Sequence, residues 1–169
     1  VQLDPEIQLP RDLCEAALRG VAEGLRQGPL LGYPVADLCL TVTGGEHREV
    51  DSSDAEFWNA GLLATRDALS CGTPFLLEPI MTLEIMTPDE YTGAVIGDLN
   101  SRRGDVSGMM VKGRLQVLSA QAPLARLFGY ATALRSMTRG LATCSIHFSH
   151  YEPLPVSVAA ELLARGRRA

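Results

Sequence analysis

Lysine is almost absent from this sequence. Lys112 is the only one, so the positive charge rests on arginine, against a formal net charge of −5. That balance excludes a protein that coats nucleic acid indiscriminately. It leaves local contacts open, because a guanidinium grips phosphate with a planar fork that an ammonium lacks. Paired cysteines are missing too: Cys14, Cys39, Cys71 and Cys144 are widely spread, with no CxxC and no Cys/His ligand spacing. They read as reduced, mostly structural thiols of a cytosolic protein. No apolar run is long enough to cross a bilayer, and nothing at the start looks like a signal peptide. The opening on Val1 points to a fragment or a processed form.

Signatures of catalysis are also lacking. There is no GxxxxGK[ST] phosphate loop, no GxGxxG after a strand, no HExxH and no paired-carboxylate arrangement. His147 and His150 flank Phe148, three positions apart, so on a regular strand they face opposite ways and make a poor metal pair. His47 has no evident partner base, and Ser52 and Ser53 look like helix caps. Catalysis, cofactor binding and metal binding are therefore not expected within these residues.

What is present is an apolar share of 46%, enough for a packed core without metal or disulfides, in 169 residues that allow one domain or two small ones. Leu9–Pro29 reads as a helix, with Pro10 near its first turn and Leu13, Ala17, Val21 and Leu25 on one face. Val35–Val42 alternates like a strand, and GGEHRE follows as a polar tip. A second helix begins at the caps Ser52, Ser53 and Asp54, carries Phe57, Ala60, Ala64 and Ala68 on one face, and closes at Gly72. Leu3 and Ile7 suggest a short leading strand.

Beyond Cys71 the order is β-α-β-β-α-β. Phe75–Met86 is a strand with a bulge or edge at Pro79, and Thr87 and Pro88 start a helix bearing Tyr91, Val95 and Leu99. DVSGMMV and RLQVLSAQA pair across Lys112-Gly113. The next helix is interrupted near Gly129 and buries Phe128 and Leu134, and LATCSIHFSHY is the last strand. VSVAAELLARGRRA is a helix with a basic tail. This is the split βαβ, or ferredoxin-like, signature: a four-stranded sheet with two helices on one face. Such sheets that stack RNA bases carry aromatics on a central strand, but KGRLQVLSA has none. RNA contact would fall to loops and helix ends, where Arg102, Arg103, Arg135 and Arg139 lie. In VIGDLNSRRGDVSGM, the two arginines sit where the helix stops, complementing its dipole, with Gly104 as the left-handed cap.

Three stretches carry a resemblance. GPLLGYPV, LLEPIMTLEIMTPDEYTGAVIGDLNSRRG and PLARLFGYATALRSMTRGLATCSIHFSHYEPLP resemble the C-terminal part of bacterial translation elongation factor G, and EVDSS fits as well. The likeness runs from about Gln8 onward. It implies an α+β chain of two-layer α/β sandwiches. Residues 1–73 would be the latter part of the family's fourth domain, ribosomal-protein-S5-like, with a left-handed βαβ crossover, an exception to the handedness rule. Residues 74–155 would be its ferredoxin-like fifth domain, and 156–169 a C-terminal helix and basic tail.

The family hydrolyses GTP and moves transfer and messenger RNA through the ribosome; some members act in recycling. The resemblance thus implies a cytoplasmic, monomeric fragment with no cofactor of its own. GTP with magnesium would sit in an N-terminal domain outside these residues. The implied partners are ribosomal RNA, tRNA–mRNA, the decoding region of the small subunit and the factor-binding centre of the large one, with no membrane. The implied contact residues are Gly44, Gly45, Glu46, His47 and Arg48 at the tip, with Arg102, Arg103, Arg135 and Arg139 in the fifth domain. Where the family usually places a histidine before the acidic residue, this chain has Arg48, preceded by His47. That exchange removes an imidazole's titration and raises a specialised paralogue as an alternative. For Arg102 and Arg103 the alternative is an internal salt bridge to Asp98 or Asp105. Arg135 and Arg139 could equally be a solvated face. A free-standing ferredoxin-like interaction module is the reading from another class.

Overall fold

The computed structural model describes residues 1–48 and 52–166, and the chain divides into two compact units. The first comprises Val1–Phe75 with Val156–Ala169, and the second Leu76–Pro155. The C-terminal helix therefore groups with the first unit; the basic tail, Arg167 and Arg168, lies outside the described residues.

In the first unit, strand β1 (Gln2–Leu3) pairs in parallel with β2 (Thr41–Val42), with helix α1 (Arg11–Arg26) between them in sequence. Helix α2 is Asp54–Cys71. The expected strand from Val35 shrinks to Thr41–Val42 for two local reasons. Asp37 turns into the left-handed region (φ 55), and the Val35 amide donates instead to the Leu25 carbonyl at the end of α1 (2.8 Å). Helix α2 starts as its caps imply. Ser53 Oγ accepts from the Glu56 amide (3.3 Å), and Glu56 Oε2 accepts from the Ser53 amide (2.8 Å), a reciprocal capping box. Ser53→Ala is expected to cost about 1 kcal/mol of stability, measured by urea titration.

The buried face of α2 is not the one its apolar spacing suggests. Ala60, Ala64 and Ala68 are not buried; they line an open groove of about 450 Å³ together with Leu40, Val42, Gly61 and Thr65, and of these helix residues only Gly61 and Thr65 are buried. Small residues decide this. A Cβ on Gly20 of α1 would fall on the Trp58 carbonyl, and one on Gly61 would fall on that of Ala17. The two helices pack backbone to backbone, so glycine and not alanine marks their contact.

The second unit is a four-stranded antiparallel sheet ordered β4-β5-β3-β6, made of β3 (Leu77–Pro88), β4 (Asp105–Lys112), β5 (Leu115–Pro123) and β6 (Thr143–Pro153). Helices α3 (Thr92–Ser101) and α4 (Tyr130–Met137) interleave with the strands in the β-α-β-β-α-β order. Leu83 and Ile85 on β3, Leu118 and Ala120 on β5, Val95 and Leu99 on α3, and Tyr130 and Leu134 around α4 form one buried cluster. Alternation on the central strands places that cluster on the helix side. Helix α5 (Val156–Gly166) follows.

One expectation holds here and two change. Pro79 lies on a central strand, but beyond the stretch Ile80–Pro88 that pairs with β5, and a bulge does occur beside it. Thr87 and Pro88 do not start α3. They still pair with Gln116 and Leu115 on β5, and the helix begins at Thr92 after a 3-10 turn, Asp89–Tyr91. Phe128 is exposed, not buried: Gly129, left-handed at φ 76, reverses the chain so that Tyr130 enters the core instead. Leu134 is buried as expected.

Candidate functional site

The tip that follows β2 is exposed throughout Gly44, Gly45, Glu46, His47 and Arg48. Its far end is closed by a ring of two bonds: the Arg48 amide donates to Ser52 Oγ (2.8 Å), and the Ser52 amide donates to the Arg48 carbonyl (3.0 Å). Glu49, Val50 and Asp51, part of the EVDSS stretch, lie outside the described residues. The next turn is anchored by the capping box and by the Arg19–Asp54 pair (2.6 Å). The loop therefore presents Arg48 from a fixed base.

At the end of α3 the two arginines are used inside the fold. The Gly104 amide donates to the Leu99 carbonyl (2.8 Å) and the Arg103 amide to that of Asn100 (3.1 Å), a Schellman closure. The left-handed residue is Arg103 (φ 63), not Gly104. Gly104 is required for a different reason, since a Cβ there would lie 2.9 Å from the Leu99 carbonyl oxygen. Arg102 Nε donates to Asp98 Oδ2 (2.7 Å), Nη1 donates to the Arg126 carbonyl (2.9 Å), and its guanidinium lies 5.3 Å from the centre of the Tyr130 ring. Arg103 forms a forked pair with Glu78, whose side chain is only 7% exposed. Both forks are thus committed to intradomain partners, the salt-bridge alternative, with Glu78 in place of Asp105 as the second carboxylate.

A carboxylate so shielded and held by one guanidinium is costly to strand. Arg103→Ala is expected to lower the stability of the second unit by about 1–3 kcal/mol, and Arg103→Ala with Glu78→Leu to recover most of it. Thermal unfolding of both variants checks this, and equal losses would contradict the pairing.

Arg135 and Arg139 differ. Both are exposed and neither makes an ion pair among the described residues. Arg139 is left-handed (φ 51), followed by Gly140 (φ 80), so the chain turns sharply just after α4. A pattern missed in the sequence runs through this part of the chain: between Asp105 and Glu152 there is no carboxylate at all, in a chain of net charge −5, although carboxylates from outside it, such as Asp89 against Gln116, pack beside it. That same span carries Lys112, Arg114, Arg126, Arg135 and Arg139, all exposed.

The histidines are arranged differently from expectation. The bulge in β6 sets His147 opposite Thr82 and His150 opposite Ile80, so both fall on one sheet face. His150 is spoken for, by Ser149 Oγ and Glu152 Oε1 (each 2.9 Å). Among the described residues no group of three His, Cys, Asp or Glu could hold a metal ion.

Burial governs the titrating groups near the core. It pushes the Cys144 thiol up to about 11 and raises the Tyr130 phenol further, with the Cys144 and Asp98 charges adding to the latter. At pH 8 Cys144 therefore stays a thiol, whereas Cys39 and Cys71 are exposed. Iodoacetamide is expected to label Cys39 and Cys71 at least tenfold faster than Cys144, read by peptide mass spectrometry; equal rates would contradict the burial. Because the folded value exceeds the ordinary thiol's, this group's stabilising contribution is full below about pH 9 and is lost as pH rises towards 11.

Comparison with known proteins bears on what these surfaces serve. A family model described as "Elongation factor G, domain IV" matches residues 5–72, and one described as "Elongation factor G C-terminus" matches residues 75–162. The elongation factor G of Aquifex pyrophilus is 47% identical over 155 residues, 92% of this chain and 22% of that protein. A crystal structure of a Thermus thermophilus protein superposes with a TM-score of 0.93 at 34% identity, over 99% of this chain and 26% of the other. The two α/β units therefore correspond to domain IV and the C-terminal module of one protein family. The chain belongs to the elongation factor G family, and it spans about a fifth of the length of the curated relative it matches. No helix among the described residues is long and apolar enough to cross a membrane.

Proposed function

We propose that this chain is the C-terminal, ribosome-contacting region of an elongation-factor-G-like GTPase that promotes translocation of tRNA and mRNA. In this reading GTP and magnesium are handled by an N-terminal domain, and the two units here position and push. The tip, Gly44 to Arg48, reaches the decoding region of the small subunit. The end of α4, with the exposed Arg135 and Arg139, meets ribosomal RNA at the factor-binding centre of the large subunit. Arg102 and Arg103 hold that surface in shape and do not touch RNA themselves. The observation that carries the reading is the match of residues 75–162 to this family's C-terminal module, where the exposed Arg135 and Arg139 make no ion pair among the described residues. A specialised paralogue, for recycling or another ribosomal task, is the second reading, favoured by Arg48 at the tip.

Co-sedimentation of the full-length protein with ribosomes across a salt series tests it. Arg135→Gln with Arg139→Gln should weaken binding and reduce the salt slope by about 2, one per lost phosphate contact. Arg102→Lys should leave the slope unchanged. No association in any nucleotide state would favour a free-standing interaction module instead. Translocation assays with the tip intact or shortened separate the paralogue from the translocase.

A further inference from the structure

Phe128 is 77% exposed, the most exposed aromatic side chain among the described residues. A lone exposed apolar residue needs no explanation, but this one is mounted rigidly. Its neighbour Leu127 is 6% exposed and Tyr130 is fully buried, so the chain is pinned in the core on both sides. Gly129 between them is left-handed (φ 76), which turns the ring outward. The preceding turn is held from α3, where Arg102 Nη1 donates to the Arg126 carbonyl (2.9 Å) while Nε holds Asp98 (2.7 Å). The Leu127 and Tyr130 amides close successive turns onto the carbonyls of Leu124 and Leu127 (3.0 Å each). A ring held out in this way loses little freedom on binding.

We propose that Phe128 is a stacking platform for an unpaired RNA base, with Arg126, two positions away on the same turn, taking an adjoining phosphate. The inference rests on the ribosome-contact reading and adds a residue and a mode of contact to it. Charge argues for RNA over a protein partner: Arg126, exposed two positions before the ring, has no ion-pair partner among the described residues, while the nearby Asp98 is already held by Arg102. Unpaired bases stack on exposed aromatic rings, and the guanidinium fork suits the phosphate beside them. The surface also resolves an apparent conflict, because the central sheet strand, which lacks aromatics, is not the stacking element. A loop is.

The test uses the full-length protein and purified ribosomes. Phe128→Leu should weaken binding about tenfold, from the stacking lost per base, with the salt slope unchanged. Phe128→Trp should bind within about twofold of the native protein, and Arg126→Gln should lower the slope by about 1. With p-azidophenylalanine in place of Phe128, irradiation should crosslink the protein to ribosomal RNA. Native-like binding by Phe128→Leu, equal losses in the Leu and Trp variants, or a crosslink confined to ribosomal protein would each overturn the stacking role and leave the ribosome reading standing. If the native protein itself fails to bind, the ribosome reading falls, and this inference with it. Because the ring is exposed, unfolding temperatures of the variants should match the native one, which separates lost contact from lost fold.

Discussion

Gly20→Val is expected to unfold the first unit under conditions where the native chain is folded. The added Cβ falls on the Trp58 carbonyl, and the facing glycine, Gly61, already lies against the Ala17 backbone. A crowded side chain can change rotamer, but here both sides of the contact are main chain, so relief requires the helices to separate. Separation uncovers Leu13, Ala17 and Val21 of α1, which the close crossing buries. Overpacking of a core typically costs roughly 1–3 kcal/mol, and a backbone clash lies at or beyond the upper end. Against a usual total of about 5–15 kcal/mol, that is a large fraction for a small unit. Trp58 is the only tryptophan and sits at the contact, so its fluorescence in a urea titration reads this unit directly. Gly97→Ala, on α3 of the second unit and read there by circular dichroism, supplies the opposite sign: that helical position is open, with nothing within 4 Å, and should gain up to about 1 kcal/mol. A Gly20→Val protein as stable as the native one would contradict the crossing described here.

The second large effect is at Leu83. It is fully buried on β3, between β5 and β6, opposite Ala120 and Ile146, and packs within the cluster that includes Val95, Leu99 and Leu134. Leu83→Ala removes buried methyl groups where paired strands on either side hinder collapse, so a loss of about 2–5 kcal/mol is expected for the second unit. Circular dichroism during thermal unfolding measures it. Ser107→Ala, on the edge strand β4 with an exposed hydroxyl bonded to the Ser119 carbonyl (3.2 Å), should change stability by less than about 1 kcal/mol.

The second unit was the more legible in sequence, because strand alternation and hairpin glycines are local signals. The β-α-β-β-α-β order and the interruption at Gly129 were readable in that way. The start of α3 was not: Thr87-Pro88 has the chemistry of a helix start, but pairing with β5 keeps it extended. Apolar character alone does not say which of two neighbouring aromatic residues, Phe128 or Tyr130, a left-handed glycine turns inward. In the first unit the buried face of α2 escaped notice for a different reason. Its contact is made by glycine and threonine, while the alanines beside them stay exposed along the groove they all line, so apolar periodicity pointed next to the contact and not at it. At the candidate site the exposure of the tip and of Arg135 and Arg139 fits a loop and a helix end. The fates of Arg102 and Arg103 depended on partners near and far: Asp98 is one turn back, but Glu78 is about 25 residues earlier and brought near only by the fold. The span free of carboxylates was in plain view, but the fold sets carboxylates from outside it alongside, as Asp89 against Gln116 shows.

The most direct measurement of the central claim is chemical footprinting of ribosomal RNA with the full-length protein bound. Protection is expected at two places, the decoding region of the small subunit and the factor-binding centre of the large one. Shortening the Gly44–Arg48 tip should remove only the first, and Arg135→Gln with Arg139→Gln should weaken only the second. Bound protein that protects neither region would contradict that claim.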